Sequence, residues 1–265
     1  MLRSTVQMER MVATKTLKTV PKISVKIWRP IIEKLDQKIE TACLRRDAYL
    51  AKVLETELDW LDQEVSIPNS KASYDYVFER LDQLDRKLVS LALPPELTQH
   101  LNEICARKRI VRDAFFNRVF LLLAASPKVV DTLLFDDNAS RWRTEVWSEN
   151  KHDGPFFQNG FYPLEPMIDP FWAVRCGLQM FADDSSLEDY VEPSMGQTIR
   201  LQMSLAGEPM PADSLYTTIF EQKVMGHDLH GLSCFFPDWR IPNHDAAKAH
   251  KLKLDEILGD LKAMP

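Results

Sequence analysis

The chain has 265 residues, 45% of them apolar and 27% charged, ordinary values for a folded protein with material for two modest domains. Its longest apolar run, Val119 to Ala125, falls far short of the roughly 20 residues a bilayer-spanning helix needs, and Met1 to Lys15 has no continuous apolar segment of signal-peptide type. A cytoplasmic protein without membrane spans is expected, and its charge is uneven: 12 Lys and Arg against 8 Asp and Glu in residues 1–60, 10 against 10 in 61–135, and 11 against 21 in 136–265.

Residues 1–20 carry Arg3, Arg10, Lys15 and Lys18 against one acid, Glu9, and read either as a flexible basic arm or as an ordinary terminus. From Lys22 the polar residues Lys22, Ser24 and Lys26 alternate with Ile23, Val25 and Ile27, the period-2 signature of a strand with one buried face. Pro30 suits a first helical turn, and Ile31, Ile32, Leu35 and Ile39 repeat at helical spacing. After a break at Thr41 to Cys43, a second helix starts near Arg45, with Ala48, Ala51, Leu54, Leu58 and Leu61 along one face, so this strand-helix-helix unit spans residues 22–62. The segment IPNSKAS from Ile67 reads as a loop, and residues 74–87 as a connector helix with Val77, Phe78, Leu81 and Leu84 apolar.

A short strand followed by two helices cannot bury its apolar face alone, and a second copy lies 66 residues downstream, over residues 88–125. The shift lays Ser24 on Ser90, Ile27 on Leu93, Leu35 on Leu101, Ile39 on Cys105, Leu44 on Ile110, Arg46-Asp47-Ala48 on Arg112-Asp113-Ala114 and Val53 on Val119. The helix of the second unit from Arg112 is apolar almost all round, through Phe115, Phe116, Val119 and Phe120 to Leu123, so the C-terminal region or another protomer must cover it. A short helix, Lys128 to Asp137, precedes an expected domain boundary at 136–140.

This repeated pattern resembles the ribbon-helix-helix DNA-binding family of the Arc and MetJ type, over roughly residues 20–62 and 86–125. The resemblance implies two strands pairing antiparallel and entering the major groove of double-stranded DNA, here both from one chain, in a tandem domain of residues 21–137. Lys22, Ser24 and Lys26 would then read bases, joined by Ser90, whose strand neighbours on that face are Leu88 and Ala92. Phosphates would be held at the starts of the second helices, by Arg45, Arg46, Arg109 and Arg112, and by Lys15 and Lys18 of the arm. Arg45 and Val111 stand where the family has a capping Ser or Thr, and Asp47 and Asp113 are expected to stabilise those helix ends. Family members commonly set two ribbons side by side, which implies a homodimer.

Residues 138–265 change texture, with more Pro, Gly and aromatic residues, and read as an acidic α+β domain that binds a ligand or a protein partner. Within it Trp172 to Phe181 suits a helix, Gln197 to Leu205 and Ser214 to Val224 alternate like strands, and Leu229 to Phe236 suits a third. Asp245 to Met264 is a closing amphipathic helix capped by Asn243 or Asp245. Overall the expected class is mainly α with a short two-stranded β-ribbon plus a C-terminal α+β domain. Cys43, Cys105, Cys176 and Cys234 lack zinc spacing, and His227, Asp228, His230, Cys234 and His244 match no closed metal site. No catalytic constellation and no cofactor motif stand out, so a DNA-binding regulator is expected rather than an enzyme. The alternative is an antitoxin-like or accessory interaction protein whose acidic C-terminal region binds another protein.

Overall fold

In the computed structural model, residues 22–135, 169–182, 187–192, 197–204 and 207–263 are described. The chain is mainly helical with short antiparallel β structure. It runs β1 (Lys22–Trp28), α1 (Arg29–Thr41), α2 (Arg46–Glu64), α3 (Lys71–Asp82), β2 (Arg86–Ala92), α4 (Pro95–Lys108), α5 (Arg112–Ala124) and α6 (Pro127–Leu134). Then follow α7 (Trp172–Ala182), β3 (Leu187–Glu192), β4 (Gln197–Met203), β5 (Pro209–Pro211), β6 (Lys223–Val224), β7 (His227–Asp228) and α8 (Asp245–Ala263). The arm with Lys15 and Lys18 and the 136–140 boundary lie outside the described residues.

β1 and β2 form an isolated antiparallel ribbon, with Lys22 opposite Ala92, Ser24 opposite Ser90 and Lys26 opposite Leu88. Ser24 and Ser90 are also mates in the 66-residue repeat, so a local two-fold axis passes between them and relates the two strand-helix-helix units. Side-chain alternation buries Val25, Ile27, Val89 and Leu91 on one face and exposes Lys22, Ser24, Lys26, Leu88 and Ser90 on the other. The units interlock: α1 packs on α5, and α2 on α4.

The repeat extends to the turns. Cys43 and Arg109, 66 residues apart, both take left-handed backbone (φ 56° and 50°), and Leu44 N–H and Ile110 N–H then bond back to Ile39 O and Cys105 O at 3.0 and 2.9 Å. Each first helix also sends a lysine to the C-terminus of the other unit's second helix. Lys38 Nζ donates to Leu123 O and Ala125 O (3.1 and 2.8 Å), and Lys108 Nζ to Asp62 O and to Val65 O (2.6 Å for the latter). A cation on terminal carbonyls satisfies acceptors that the helix leaves over and opposes the negative dipole end.

The apolar perimeter of α5 is explained by what surrounds it. One continuous core joins its Phe115, Phe116, Val119 and Phe120 to Leu215, Tyr216, Phe220, Leu229, Leu232 and Phe236 from the C-terminal region. Within this helix Arg118 is wholly buried, donating Nε to Leu215 O (2.6 Å) and Nη2 to Thr218 O (2.7 Å) while its guanidinium lies 4.0 Å over the Phe220 ring. Asn69 stitches the same junction, its Nδ2 donating to Arg109 O and Cys234 O (3.1 and 2.8 Å) and its Oδ1 accepting from Phe236 N–H (2.9 Å). Gly231 lies so close to α3 that a Cβ there would stand 2.5 Å from Leu81 N, backbone against backbone.

Several expected boundaries move. The connector helix is Lys71–Asp82 rather than 74–87, because Ser70 Oγ accepts from Ser73 N–H (3.0 Å) and caps it inside the expected loop, and β2 starts at Arg86. Ser214 to Val224 is not a strand: Leu215 to Thr217 form a turn held by Arg118, and only Lys223–Val224 pair with another strand. Leu229 to Phe236 is likewise a 3-10 turn at His230–Leu232, packed on α3 and α5, followed by irregular chain, its apolar residues all buried instead of alternating. β3 was not anticipated; it pairs with the expected β4, which pairs in turn with β5. His244 Nδ1, rather than Asn243 or Asp245, accepts from Ala246 N–H (3.2 Å) at the start of α8.

Candidate nucleic-acid interface

A two-stranded ribbon has two open edges, and here both are closed from within. Asp113 Oδ2 accepts Lys26 N–H (3.2 Å), and its repeat mate Asp47 accepts Ala92 N–H (3.1 Å). Arg112 Nη2 donates to Ser24 O (2.9 Å), and its repeat mate Arg46 to Ser90 O (3.2 Å). Asn117 adds a clamp to β1 alone, accepting Trp28 N–H at 2.7 Å and donating to Lys26 O at 2.9 Å; its repeat mate is Ala51. With the strand edges occupied, backbone augmentation by another strand is disfavoured, and the side chains of the exposed face are what the ribbon leaves open.

That face carries Lys22, Ser24 and Lys26 on β1, and Leu88 and Ser90 on β2, with Ala92 half-buried. It offers two ammonium groups and two hydroxyls, and Leu88 is an apolar exception at 63% exposed. The face is open at one end only. Trp28 and Arg86 follow the outward alternation, yet Trp28 is 3% exposed, its ring meeting His227 edge-on at 5.9 Å. The Arg86 side chain is buried beside Asp82 and 4.0 Å from Asp113.

The four arginines at the second-helix starts divide by geometry. Arg46 and Arg112 serve the strand carbonyls, and Arg46 also meets Asp36 and Asp47 at 3.3 and 3.2 Å. Arg109 Nη1 donates to Asn69 O (3.1 Å) in the loop before α3, while Arg45 stands exposed. Neither α2 nor α5 has a side-chain N-cap, and their starts line two related grooves of about 890 and 880 Å³, the first with Arg45, Arg46 and Asp47 and the second with Arg109, Arg112 and Asp113. Asp47 and Asp113 stand in the first turns of α2 and α5, as expected, and also hold the ribbon edges. Asn117 was missed because an amide in an apolar helix gives no signal of which backbone it will meet.

Among the described residues no group of three His, Cys, Asp or Glu is arranged to hold a metal ion. His230 Nδ1 pairs with Tyr76 OH at 3.0 Å, and burial pushes the Cys234 thiol up to about 12. Among the described residues no helix is long and apolar enough to cross a membrane. No protein-family model, curated protein or solved structure matches the chain.

Proposed function

We propose that the chain is a cytoplasmic DNA-binding regulator of ribbon-helix-helix type, in which one chain supplies both strands of the ribbon. The observation that carries this reading is the exposed face of an edge-locked, pseudo-symmetric β1–β2 ribbon, with Lys22, Ser24, Lys26 and Ser90 pointing out and Leu88 beside them. A two-stranded ribbon fits the major groove, where a lysine donates to guanine O6 and N7, a serine bonds any base edge, and an apolar side chain meets a thymine methyl. Uncapped starts of α2 and α5 and the exposed Arg45 flank the ribbon as phosphate contacts, joined by Lys15 and Lys18 of the arm. Pairing as a homodimer would set two such ribbons one helical turn apart.

The test is selection of duplexes from a random library, followed by binding of the enriched sequence across a salt series. Lys22→Ala/Lys26→Ala is expected to weaken binding at least about thirtyfold at matched salt, since two lost base contacts at about 1–3 kcal/mol each remove at least about 2 kcal/mol. Unchanged affinity in that variant would sink the assignment of the reading face. The second reading, an interaction protein with a mainly structural ribbon, draws on the exposed Leu88, and predicts that no duplex is enriched.

A further inference from the structure

The hairpin β6–β7 stands at the closed end of the ribbon. Its base is fixed: His227 meets Trp28, Asp228 faces Arg80 at 3.6 Å and accepts His230 N–H at 3.2 Å, and Leu229 is wholly buried. Trp28 belongs by alternation to the same side of the ribbon as Lys22, Ser24 and Lys26, so its edge contact with the His227 ring sets the base of this hairpin against the end of that side.

Its tip is made against local preference. Val224 pairs with His227 across a two-residue loop, Met225-Gly226, in which both residues have positive φ (52° and 81°). A turn of that kind favours Asn-Gly, and a methionine gains nothing from left-handed backbone. Met225 is also 71% exposed, among the most exposed large apolar side chains described, and it lies between the exposed Lys223 and His227. Two local penalties at one residue, whose side chain stands largely clear of the described residues, mark a position kept for an outside contact.

We infer that this hairpin is a second DNA-contacting element, in which Met225 enters the groove or base step next to the ribbon and Lys223 lies along the backbone. This rests on the DNA reading above and adds an asymmetry to it. The ribbon face already differs between its strands, Lys22 and Lys26 standing where the repeat has Leu88 and Ala92, and the hairpin extends the contact beyond the Trp28 end only. Apolar wedges of this type, methionine among them, act by partly unstacking a base step.

The test uses the full chain and a duplex of about 30 bp, three helical turns, enriched by the wild-type protein. Met225→Asn installs the residue the turn prefers, so its Tm should stay level or rise while its affinity for that duplex falls about tenfold. Its hydroxyl-radical footprint should shorten on one flank only. Wild-type affinity and an unchanged footprint in Met225→Asn, alongside weakened binding by Lys22→Ala/Lys26→Ala, would overturn the hairpin's role and leave the ribbon's intact. Failure of the wild-type protein to enrich any duplex would overturn both.

Discussion

The junction between α2 and the C-terminal region turns on a buried carboxylate, and its removal makes a quantitative test. Glu57 is wholly buried on α2, where its Oε2 accepts from Arg175 Nη2 and from Tyr216 OH, while its Oε1 has no partner. Glu64 stands 3.5 Å from Arg175 Nε and Asp169 3.2 Å from its Nη1, so three carboxyls share one guanidinium, which also lies 4.7 Å over the Trp60 ring. Burial outweighs the attraction of Arg175 and the Tyr216 hydrogen bond and pushes the Glu57 carboxyl from 4.5 up to about 7. Between those values the folded protein holds a proton that the unfolded chain has released, so stability falls as pH rises through that window. The shift corresponds to a loss on the order of 3 kcal/mol, or roughly 6–12 °C in Tm for a chain of this size. Glu57→Gln removes this titration. Urea unfolding at a series of pH values from 5 to 8 should show the wild type losing stability with rising pH and Glu57→Gln losing much less. Part of the slope should remain in the variant, because burial raises the Glu64 carboxyl in the same direction. Parallel curves for the two proteins would refute the reasoning.

Two further outcomes test the fold around the candidate interface. Gly231→Ala forces the 3-10 turn away from the Leu81 backbone and should cost about 1–3 kcal/mol, visible as a lower denaturation midpoint at unchanged slope; an unshifted midpoint would show that the approach is looser than drawn. Asp47→Ala removes the acceptor of Ala92 N–H and should destabilise by about 1–3 kcal/mol. Amide exchange at Ala92 should accelerate in that variant more than exchange at Lys26 does in Asp113→Ala, because Asn117 continues to hold β1. Equal effects would assign Asn117 no part in locking the edge.

Much of the ribbon was legible in the chain because its signals are local. Alternation in Lys22 to Ile27 set which side chains face out, and the 66-residue repeat identified the partner strand, which the Ser24 and Ser90 pairing matches. What defeated sequence reasoning was contact between distant segments. Arg46, Arg109 and Arg112 look alike as cations near helix starts, and only the folded chain shows that each is already bonded to backbone, Arg46 and Arg112 in the ribbon and Arg109 at Asn69. Leu215 to Phe220 and Leu229 to Phe236 alternate well enough to suggest strands, yet they are apolar because they cover α5 and α3, and burial overrides periodicity in short runs.

By itself, then, the sequence determined the two strand-helix-helix units, their apolar faces and the row Lys22, Ser24, Lys26, since period-2 and period-3.6 patterns are written residue by residue. Tertiary structure alone decided which polar groups remain available on that row. It placed Asp47, Asp113 and Asn117 on the strand edges, buried Glu57 and Arg118 among partners over 90 residues away, and brought the β6–β7 hairpin against Trp28. The availability of a side chain is a property of what the distant chain brings to it, which no local pattern encodes.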